Sequence, residues 1–258
     1  MDLGIAGRRA IVCGSSRGLG RACAESLARE GVDVVINGRT EETVEATAAE
    51  LAKLHAVTVT PVVADIDTAE GRAALLAACP QPDILVTNNA GPSPSIFVDT
   101  DLDAWRAALD SNLLAPLLLI QAVIVGMRDR RFGRIVNITS AMVKTPHPMM
   151  TLSVAARTGL TGVTKALSKE AVADNVTINN LLPERFDTDR QRQMAELHVA
   201  LGGVTWDEAR AQQIATIAAG RLGQPHELGD ACAFLCSAQA GYLSGQNLQL
   251  DGGTCPCW

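Results

Sequence analysis

The sequence predicts an α/β protein built on a doubly wound parallel β-sheet. Short apolar runs rich in β-branched residues alternate along the chain with longer stretches of helical periodicity. Hydrophobic residues make up 47% of the 258 residues, enough for a large core, whereas aromatic residues make up only 3%. A core of Ala, Val, Leu and Ile suits helices that pack closely on both faces of such a sheet. No linker or repeat interrupts the pattern, so we expect residues 1–258 to form one domain.

The strands and helices alternate in a regular order. Seven runs have the composition of buried strands: Arg8–Cys13, Val32–Asn37, Val57–Val63, Ile84–Thr87, Gly133–Ile138, Thr177–Leu182 and Leu248–Leu250. Six helices are predicted between them: Gly20–Glu30, Glu41–Leu54, Ala69–Ala78, Asp103–Arg130, Leu152–Ala173 and His226–Ser237. Residues 188–219 are an extra, mostly helical segment, which we expect to cap a substrate cleft.

Charge and hydropathy exclude several classes of partner. The net charge is −6 and the pI about 5.2, whereas a protein that binds nucleic acid normally presents a basic surface. Met1–Arg9 lacks the apolar run of a secretory signal. Leu113–Met127, the longest apolar stretch, is too short for a membrane span and contains Pro116 and Gln121. We therefore expect a cytoplasmic protein with a small-molecule substrate and neither a nucleic-acid nor a membrane partner.

The seven cysteines predict no metal site. Five of them lie in apolar segments and are expected to be buried, reduced thiols: Cys13, Cys23, Cys79, Cys232 and Cys236. Cys255 and Cys257, near the C-terminus, have the spacing for a disulfide or a metal. No second pair of ligands lies nearby in the sequence, so we expect no metal there.

A glycine-rich loop joins the first predicted strand to the first helix. It contains Gly14, Ser16, Arg17, Gly18, Leu19 and Gly20. Gly14 permits a tight turn, Gly18 lets the backbone approach a pyrophosphate, and Gly20 lets helix and strand pack closely. Free N–H groups and the positive end of the helix then face the phosphates. This context predicts a dinucleotide site and, with it, a Rossmann fold.

The loop spacing G-x-x-x-G-x-G resembles the short-chain dehydrogenase/reductase family, and its 3-oxoacyl reductases in particular. The resemblance covers nearly the whole chain and continues in these motifs: Asp65, Asn88-Asn89-Ala90-Gly91, Asn112, Ser140, Thr188 and Tyr242 to Gly253. It implies that Asp65 and Ile66 contact the adenine, that Asn89, Ala90 and Gly91 line the cofactor floor, and that Thr188 meets the nicotinamide carboxamide. It also implies a homotetramer or homodimer formed through helices Asp103–Arg130 and Leu152–Ala173.

The end of the second strand predicts which nicotinamide cofactor is bound. An NAD(H) site usually has an acid there that accepts the ribose 2′-hydroxyl. This chain has Asn37-Gly38-Arg39 and no acid before Glu41. Arg39, helped by Arg17, can pair with a 2′-phosphate instead, so we expect NADP(H) rather than NAD(H).

The catalytic pattern of the family is broken. Its hydride transfer is assisted by Asn, Ser, Tyr and Lys, which implies catalytic roles for Asn112 and Ser140. Thirteen residues after Ser140, however, the family's Tyr and Lys positions are Ser153 and Arg157. A Ser hydroxyl is a far weaker acid than a phenol, and losing a positioned acid costs about 10²–10⁴ in rate. A second departure is Glu184, where the family usually has glycine.

Three functions therefore remain open. The first is an NADPH-dependent reductase in which Lys144 or His147 supplies the proton and Arg157 holds the cofactor ribose or an anionic substrate group. The second is a non-redox lyase or hydratase that uses Ser140, Ser153, Arg157 and Glu184. The third is a cofactor-binding partner or sensor without turnover. The intact glycine loop and the Asn112–Ser140 pair favour the first.

Overall fold

A computed structural model describes residues 2–256, which form a seven-stranded sheet in the order β3-β2-β1-β4-β5-β6-β7. Every pair of neighbouring strands is parallel. The strands are β1 (Arg9–Val12), β2 (Asp33–Gly38), β3 (Val59–Val63), β4 (Ile84–Thr87), β5 (Gly133–Ile138), β6 (Val176–Pro183) and β7 (Asn247–Leu250). The fold class predicted from the sequence is confirmed, and the strand bounds differ by only a residue or two.

Helices cover both faces of this sheet. They are α1 (Gly18–Arg29), α2 (Glu41–Leu54), α3 (Ala69–Ala78), α4 (Leu102–Leu109), α5 (Ala115–Asp129), α6 (Thr151–Ala171), α7 (Asp189–Gly202), α8 (Trp206–Ile214) and α9 (Pro225–Cys236). Helices α7 and α8 make up most of residues 188–219, as the helical composition of that segment predicts. Its role as a cap over a cleft remains a prediction.

The core lies in two layers because alternate side chains of each strand point to opposite faces. Ala10 and Val12 of β1 belong to the layer that contains Leu27 of α1 and Leu228 of α9. Ile11 belongs to the other layer, with residues of α3, α5 and α6. Both layers consist mainly of Ala, Val, Leu and Ile, as the low aromatic content predicts. The sheet is therefore packed between two layers of helices.

The strand order places a crevice at one edge of the sheet. Strand β1 pairs with β2 on one side and with β4 on the other, so the chain reverses its direction of travel across the sheet beside β1. Loops that leave the carboxyl ends of β1 and β4 then diverge to opposite faces. Ligands of open α/β sheets bind in the crevice that this divergence opens.

The predicted helix Asp103–Arg130 is interrupted in the structure. A π-helical turn, Asp110–Leu114, separates α4 from α5. Pro116 has no N–H to donate to the carbonyl of Asn112 four residues earlier, so a regular α-helical bond cannot form at that point. The turn brings Asn112 to a buried position, with 5% of its surface exposed.

On length and composition alone, the run Leu102–Asp129 could cross a membrane. The expectation from the sequence that no segment spans a membrane rests on the length of the shorter stretch Leu113–Met127. Core helices of soluble proteins pass the same test, and here Leu119, Ile120 and Met127 are fully buried within the fold.

The cysteines that lie in apolar segments are buried and free, as predicted: Cys13, Cys23, Cys79, Cys232 and Cys236. Burial raises the pKa of the Cys13 thiol to about 12, so this thiol remains protonated and unreactive at neutral pH. Cys257 lies outside the described residues, so the alternatives for the C-terminal cysteine pair remain predictions.

Candidate cofactor site and active site

The glycine loop between β1 and α1 has the geometry that the sequence predicts. Gly14 adopts a left-handed backbone with φ of +54°, which a residue with a side chain rarely tolerates. A Cβ atom at Gly20 would collide with the Gly14 carbonyl oxygen, because α1 begins directly against the end of β1. The N-terminal N–H groups of α1 are therefore brought close to the loop, where they can receive phosphate oxygens.

Asn37, the next-to-last residue of β2, fixes the loop in place. Its Oδ1 accepts a hydrogen bond from the Gly14 N–H at 3.2 Å, and its Nδ2 donates to the Ala64 carbonyl at 3.0 Å. The side chain is 2% exposed, so these bonds also satisfy a buried amide. Sequence reasoning used Asn37 only to mark the absence of an acid and missed this structural role. Its polar side chain directly after the apolar run Val34–Ile36 is the signal that could have revealed the role.

One cavity of about 250 Å³ lies at this edge of the sheet. Eight of the predicted cofactor residues line it: Gly14, Ser16, Arg17, Arg39, Asp65, Ile66, Asn89 and Ala90. Five lining residues were not among the predicted site residues: Asn37, Gly38, Thr40, Ala64 and Asn88. The predicted residues Gly18, Leu19, Gly20, Gly91 and Thr188 lie outside this lining. The cavity thus joins the ends of β1, β2, β3 and β4, far apart in sequence.

Arginine side chains dominate the charge at the open end of the cavity. Arg39 is 65% exposed at its side chain, and its Nη1 lies 3.9 Å from Asp65 Oδ2. A pair so long and so exposed contributes little to stability, so Arg39 is free to turn to a ligand. Arg17 is also exposed, at the N-terminal boundary of α1. Two guanidinium groups beside a helix N-terminus favour a bound phosphate.

The floor of the cavity is held by polar contacts from two neighbouring loops. Asn89 Nδ2 donates to Asp67 Oδ1 at 2.7 Å and to Ser111 Oγ at 3.0 Å. Burial raises the pKa of Asp67, and the Asn89 hydrogen bond partly offsets that rise. Asp67 and Ser111 were not predicted as site residues. They lie far apart in the sequence, and no sequence pattern indicates that both contact Asn89.

Asn112 and Arg157 form one network behind the floor. Asn112 Nδ2 donates to the Ala90 carbonyl at 3.3 Å, and its Oδ1 accepts from Arg157 Nη2 at 3.0 Å. Arg157 also donates through Nη1 to the Thr139 carbonyl and through Nη2 to the Asn89 carbonyl at 3.4 Å. These contacts link α6, the end of β5, the π-turn and the loop after β4. Arg157 thus holds the floor together.

The guanidinium of Arg157 is buried, and its hydrogen-bond partners carry no negative charge. Its Nε is buried and has no hydrogen-bond partner. Burial, and to a smaller extent the charge of Arg190, lower the pKa of Arg157 to about 10, so the group stays protonated at neutral pH. It can stabilise an anion but cannot accept a proton in an ordinary pH range.

The two predicted catalytic serines occupy different settings. Ser140 follows β5, and its Oγ accepts the Met142 N–H at 3.2 Å, which caps a short 3₁₀ turn. Ser153, on α6, is 4% exposed, and its hydroxyl makes no hydrogen bond within residues 2–256. The tyrosine Tyr242 is fully exposed on the turn before β7, so it cannot serve as a proton donor inside this site.

Of the groups considered as replacement acids, Lys144 and His147 are exposed. His147 Nδ1 accepts the Met149 N–H at 3.3 Å. Glu184 is much less accessible: its side chain is 15% exposed, and its Oε1 lies 3.6 Å from Arg185 Nε. Burial raises the pKa of Glu184. The positive charge of Arg185 lowers this pKa, the charge of Asp251 raises it, and His147 lowers it. Glu184 is therefore a carboxyl group that holds its proton to higher pH than usual.

Thr188 lies at the start of α7, where its Oγ1 donates to the Phe186 carbonyl at 3.3 Å. Two residues further on, Arg190 Nη2 donates to the Pro92 carbonyl at 3.4 Å. This contact ties the start of the helical segment 188–219 to the loop that follows β4.

The site as a whole fits a dinucleotide that carries an additional phosphate. The tight approach of α1 to β1 leaves room for phosphate oxygens, and no carboxylate ends β2. Beyond the cavity, the loop after β4 contacts Asn112 through the Ala90 carbonyl.

Comparisons with known proteins agree with this geometry. Residues 14–255 match the family model described as Enoyl-(Acyl carrier protein) reductase. The chain is 31% identical over 252 residues to 3-oxoacyl-(acyl-carrier-protein) reductase FabG of Vibrio harveyi, covering 97% of this chain and 98% of that one. It is 33% identical over 251 residues to dehydrogenase/reductase SDR family member 4 of Bos taurus, covering 95% of this chain and 86% of that one.

Solved structures extend the likeness to the whole fold. L-sorbose reductase from Gluconobacter frateurii, complexed with NADPH and L-sorbose, superposes with a TM-score of 0.95 at 27% identity and full coverage of both chains. YwfH, an NADPH-dependent reductase involved in bacilysin biosynthesis, superposes with a TM-score of 0.91 at 28% identity, covering 97% of this chain and 99% of that one. The chain belongs to the short-chain dehydrogenase/reductase family of oxidoreductases.

Proposed function

We propose that this protein is an NADP(H)-dependent reductase of a small carbonyl compound, with an active site that lacks the family's Tyr and Lys. The observation that carries the proposal is the cavity in which the glycine loop, Arg17 and Arg39 meet the floor residue Asn89. A protein that only kept the fold would have no need of this phosphate-binding arrangement. One solved relative is complexed with NADPH and another is described as NADPH-dependent, which supports the choice of cofactor.

The cofactor would be held by the residues of the cavity. Gly14 to Gly20 would receive the diphosphate, Arg17 and Arg39 the 2′-phosphate, and Asp65 with Ile66 the adenine. Thr188 would meet the nicotinamide carboxamide, as the family resemblance implies. When bound, NADPH supplies the hydride, and the protein must supply a proton to the carbonyl oxygen.

The source of that proton is the main question at this site. Ser153 is a poor acid, and Arg157 is committed to the floor. Glu184 is the better candidate, because it follows β6 at the same carboxyl edge of the sheet as Ser140 follows β5, and because burial raises its pKa. In this scheme the Glu184 carboxyl gives its proton to the substrate oxygen and recovers one from water. Ser140 and Asn112 would orient the substrate and the floor.

A second candidate function is cofactor binding without turnover. Ser153 has no hydrogen bond within the described chain, and Arg157 contacts three oxygen atoms of the floor in place of a free amine. Both observations suit a scaffold that senses the cofactor. A non-redox lyase remains a further alternative, for which Glu184 would be the acid or base.

Turnover distinguishes these candidates. Purified protein is mixed with NADPH and a panel of ketones, aldehydes and keto acids, and absorbance at the NADPH band is followed. We expect NADPH consumption with at least one compound, and a loss of about 10²-fold or more in Glu184→Gln. The double variant Ser153→Tyr with Arg157→Lys should differ in rate from the wild type. No consumption despite measurable NADPH binding would favour the sensor.

A further inference from the structure

Arg190, in the first turn of α7, has no carboxylate partner within the described chain. Four other arginines between residues 184 and 227 form ion pairs within the described chain. They are Arg185 with Glu184, Arg192 with Asp187, Arg210 with Asp187, and Arg221 with Glu227. Arg190 forms none, and its contact is the hydrogen bond to the Pro92 carbonyl. Its charge is therefore left uncompensated among paired neighbours.

Arg157 is the second uncompensated cation of this region. Its partners are the oxygens of Thr139, Asn89 and Asn112, all of which are neutral. Its buried Nε has no acceptor. Arg190 is close enough for its charge to lower the pKa of Arg157, so the two guanidinium groups repel each other. Like charges held together in this way are stabilised by an anion placed near both.

The loop that follows β4 separates the two side chains. Arg157 donates to the Asn89 carbonyl at the start of the loop, from the α6 side. Arg190 donates to the Pro92 carbonyl three residues further along the loop, from the α7 side. Both cations thus hold the same loop, whose first residues also form the floor of the cofactor site.

We propose that Arg190, with Arg157 behind it, forms a binding site for the carboxylate group of the substrate. The inference rests on the proposed function and gives the substrate a chemical class: a carbonyl compound that also carries a carboxylate. Arg190 would bind the carboxylate through charge-assisted hydrogen bonds, which a guanidinium makes in pairs. Arg157 would add the longer-range attraction and keep the loop in position.

The phosphates of the cofactor are the other negatively charged groups that Arg157 and Arg190 could bind. The diphosphate has its own donors at the N-terminus of α1, and Arg17 and Arg39 line the cavity where a 2′-phosphate would lie. Neither Arg157 nor Arg190 lines that cavity. The arrangement therefore leaves the second pair of arginines to the substrate.

The test uses malonate as the carboxylate probe and malonamide as its neutral counterpart. Each is titrated by calorimetry into the NADPH-loaded wild type and into Arg190→Gln, at constant low ionic strength. Arg192→Gln is the matched control, because Arg192 lies on the same helix but is paired with Asp187 at 3.6 Å. The affinity for NADPH is measured for all three proteins.

We expect malonate, and not malonamide, to bind the loaded wild type, and Arg190→Gln to weaken malonate binding at least about tenfold. Arg192→Gln should stay within about twofold of the wild type. Equal malonate binding in all three proteins, or none to the wild type at about 10 mM, would overturn the proposal. A loss of NADPH affinity in Arg190→Gln with malonate binding intact would also overturn it, by assigning Arg190 to the cofactor.

Failure of the proposed function gives a different result. If NADPH does not bind the wild type, the reductase proposal fails. The malonate titration of the free protein then still tests the anion site, since both arginines belong to the protein itself.

Discussion

The position of Arg157 could be predicted from the sequence, whereas its contacts could not. Its position relative to Ser140 and the flanking Gly159-Leu160-Thr161-Gly162 predicts that it stands where the family has Lys. Its contacts could not be predicted, because a guanidinium has five donors and a flexible stem. In the structure it donates to Thr139, Asn89 and Asn112. We therefore regard it as a positioning residue rather than as an acid or base.

Glu184 gives a residue-scale prediction about pH. Its raised pKa in the folded protein means that the folded state binds its proton more tightly than the unfolded state does. That contribution to stability is complete below the unfolded pKa and is lost as pH rises through the folded value. We therefore expect Glu184→Gln to gain melting temperature relative to the wild type as pH rises from about 4 to 8. The measurement is thermal unfolding across this range.

The pH-dependent difference in melting temperature between Glu184→Gln and wild type can be measured and controlled. A change of about 1 kcal/mol shifts the melting temperature of a chain of this size by about 2–4 °C. Glu196→Gln, which removes an exposed carboxyl group on α7, should show no such trend. A difference in melting temperature between Glu184→Gln and wild type that stays constant with pH would contradict a raised pKa of this carboxyl group.

At the scale of the elements, the sequence predicts which segments are helical better than where helices break. Asp103–Arg130 has the apolar periodicity of one helix, but the structure divides it at the π-turn Asp110–Leu114. Pro116 is visible in the sequence, yet proline is also compatible with the first turn of a helix. Only the packing of Asn112 against Ala90 and Arg157 decides where the break falls.

The close packing of α1 against the end of β1 can be tested with a substitution at Gly20. Gly20→Ala adds a methyl group that would collide with the Gly14 carbonyl, which is backbone and cannot turn aside. We expect a loss of about 1–3 kcal/mol in stability, measured by urea unfolding, and NADPH binding weakened by more than about tenfold. Gly162→Ala is the matched control, because a Cβ at Gly162 meets nothing within 4 Å. Equal effects at both positions would contradict the tight approach.

For the whole molecule, strand alternation and the order of the motifs were enough to predict the sheet and the edge that holds the site. Asp65, Asn89 and Ser140 follow different strands, so parallel pairing brings them to one edge. The contacts of α7 were not predictable in the same way. Arg190, Arg192 and Glu196 have no selective pattern in the sequence, and only tertiary contacts separate the paired charges from the unpaired one.

The assembly expected from the family resemblance also belongs to this scale. Leu118 and Val125 of α5 are 43% and 63% exposed, and Val163 of α6 is 42% exposed. Covering such apolar side chains is favourable, so we expect a dimer or tetramer of the 27.1 kDa chain by light scattering. Val125→Asp should weaken the assembly by at least about tenfold. The exposed control Leu54→Asp on α2 should leave the mass unchanged, and a monomeric wild type would contradict the expectation.

The central claim is that this chain binds NADPH through Arg17 and Arg39, and a fluorescence titration tests it directly. Wild type and Arg39→Gln are titrated with NADPH and, in parallel, with NADH. We predict that the wild type binds NADPH at least about tenfold more tightly than NADH, and that Arg39→Gln narrows this difference while its NADH affinity stays within about twofold. Equal affinity of the wild type for both cofactors would contradict the arginine assignment, and binding of neither would contradict the cofactor site itself.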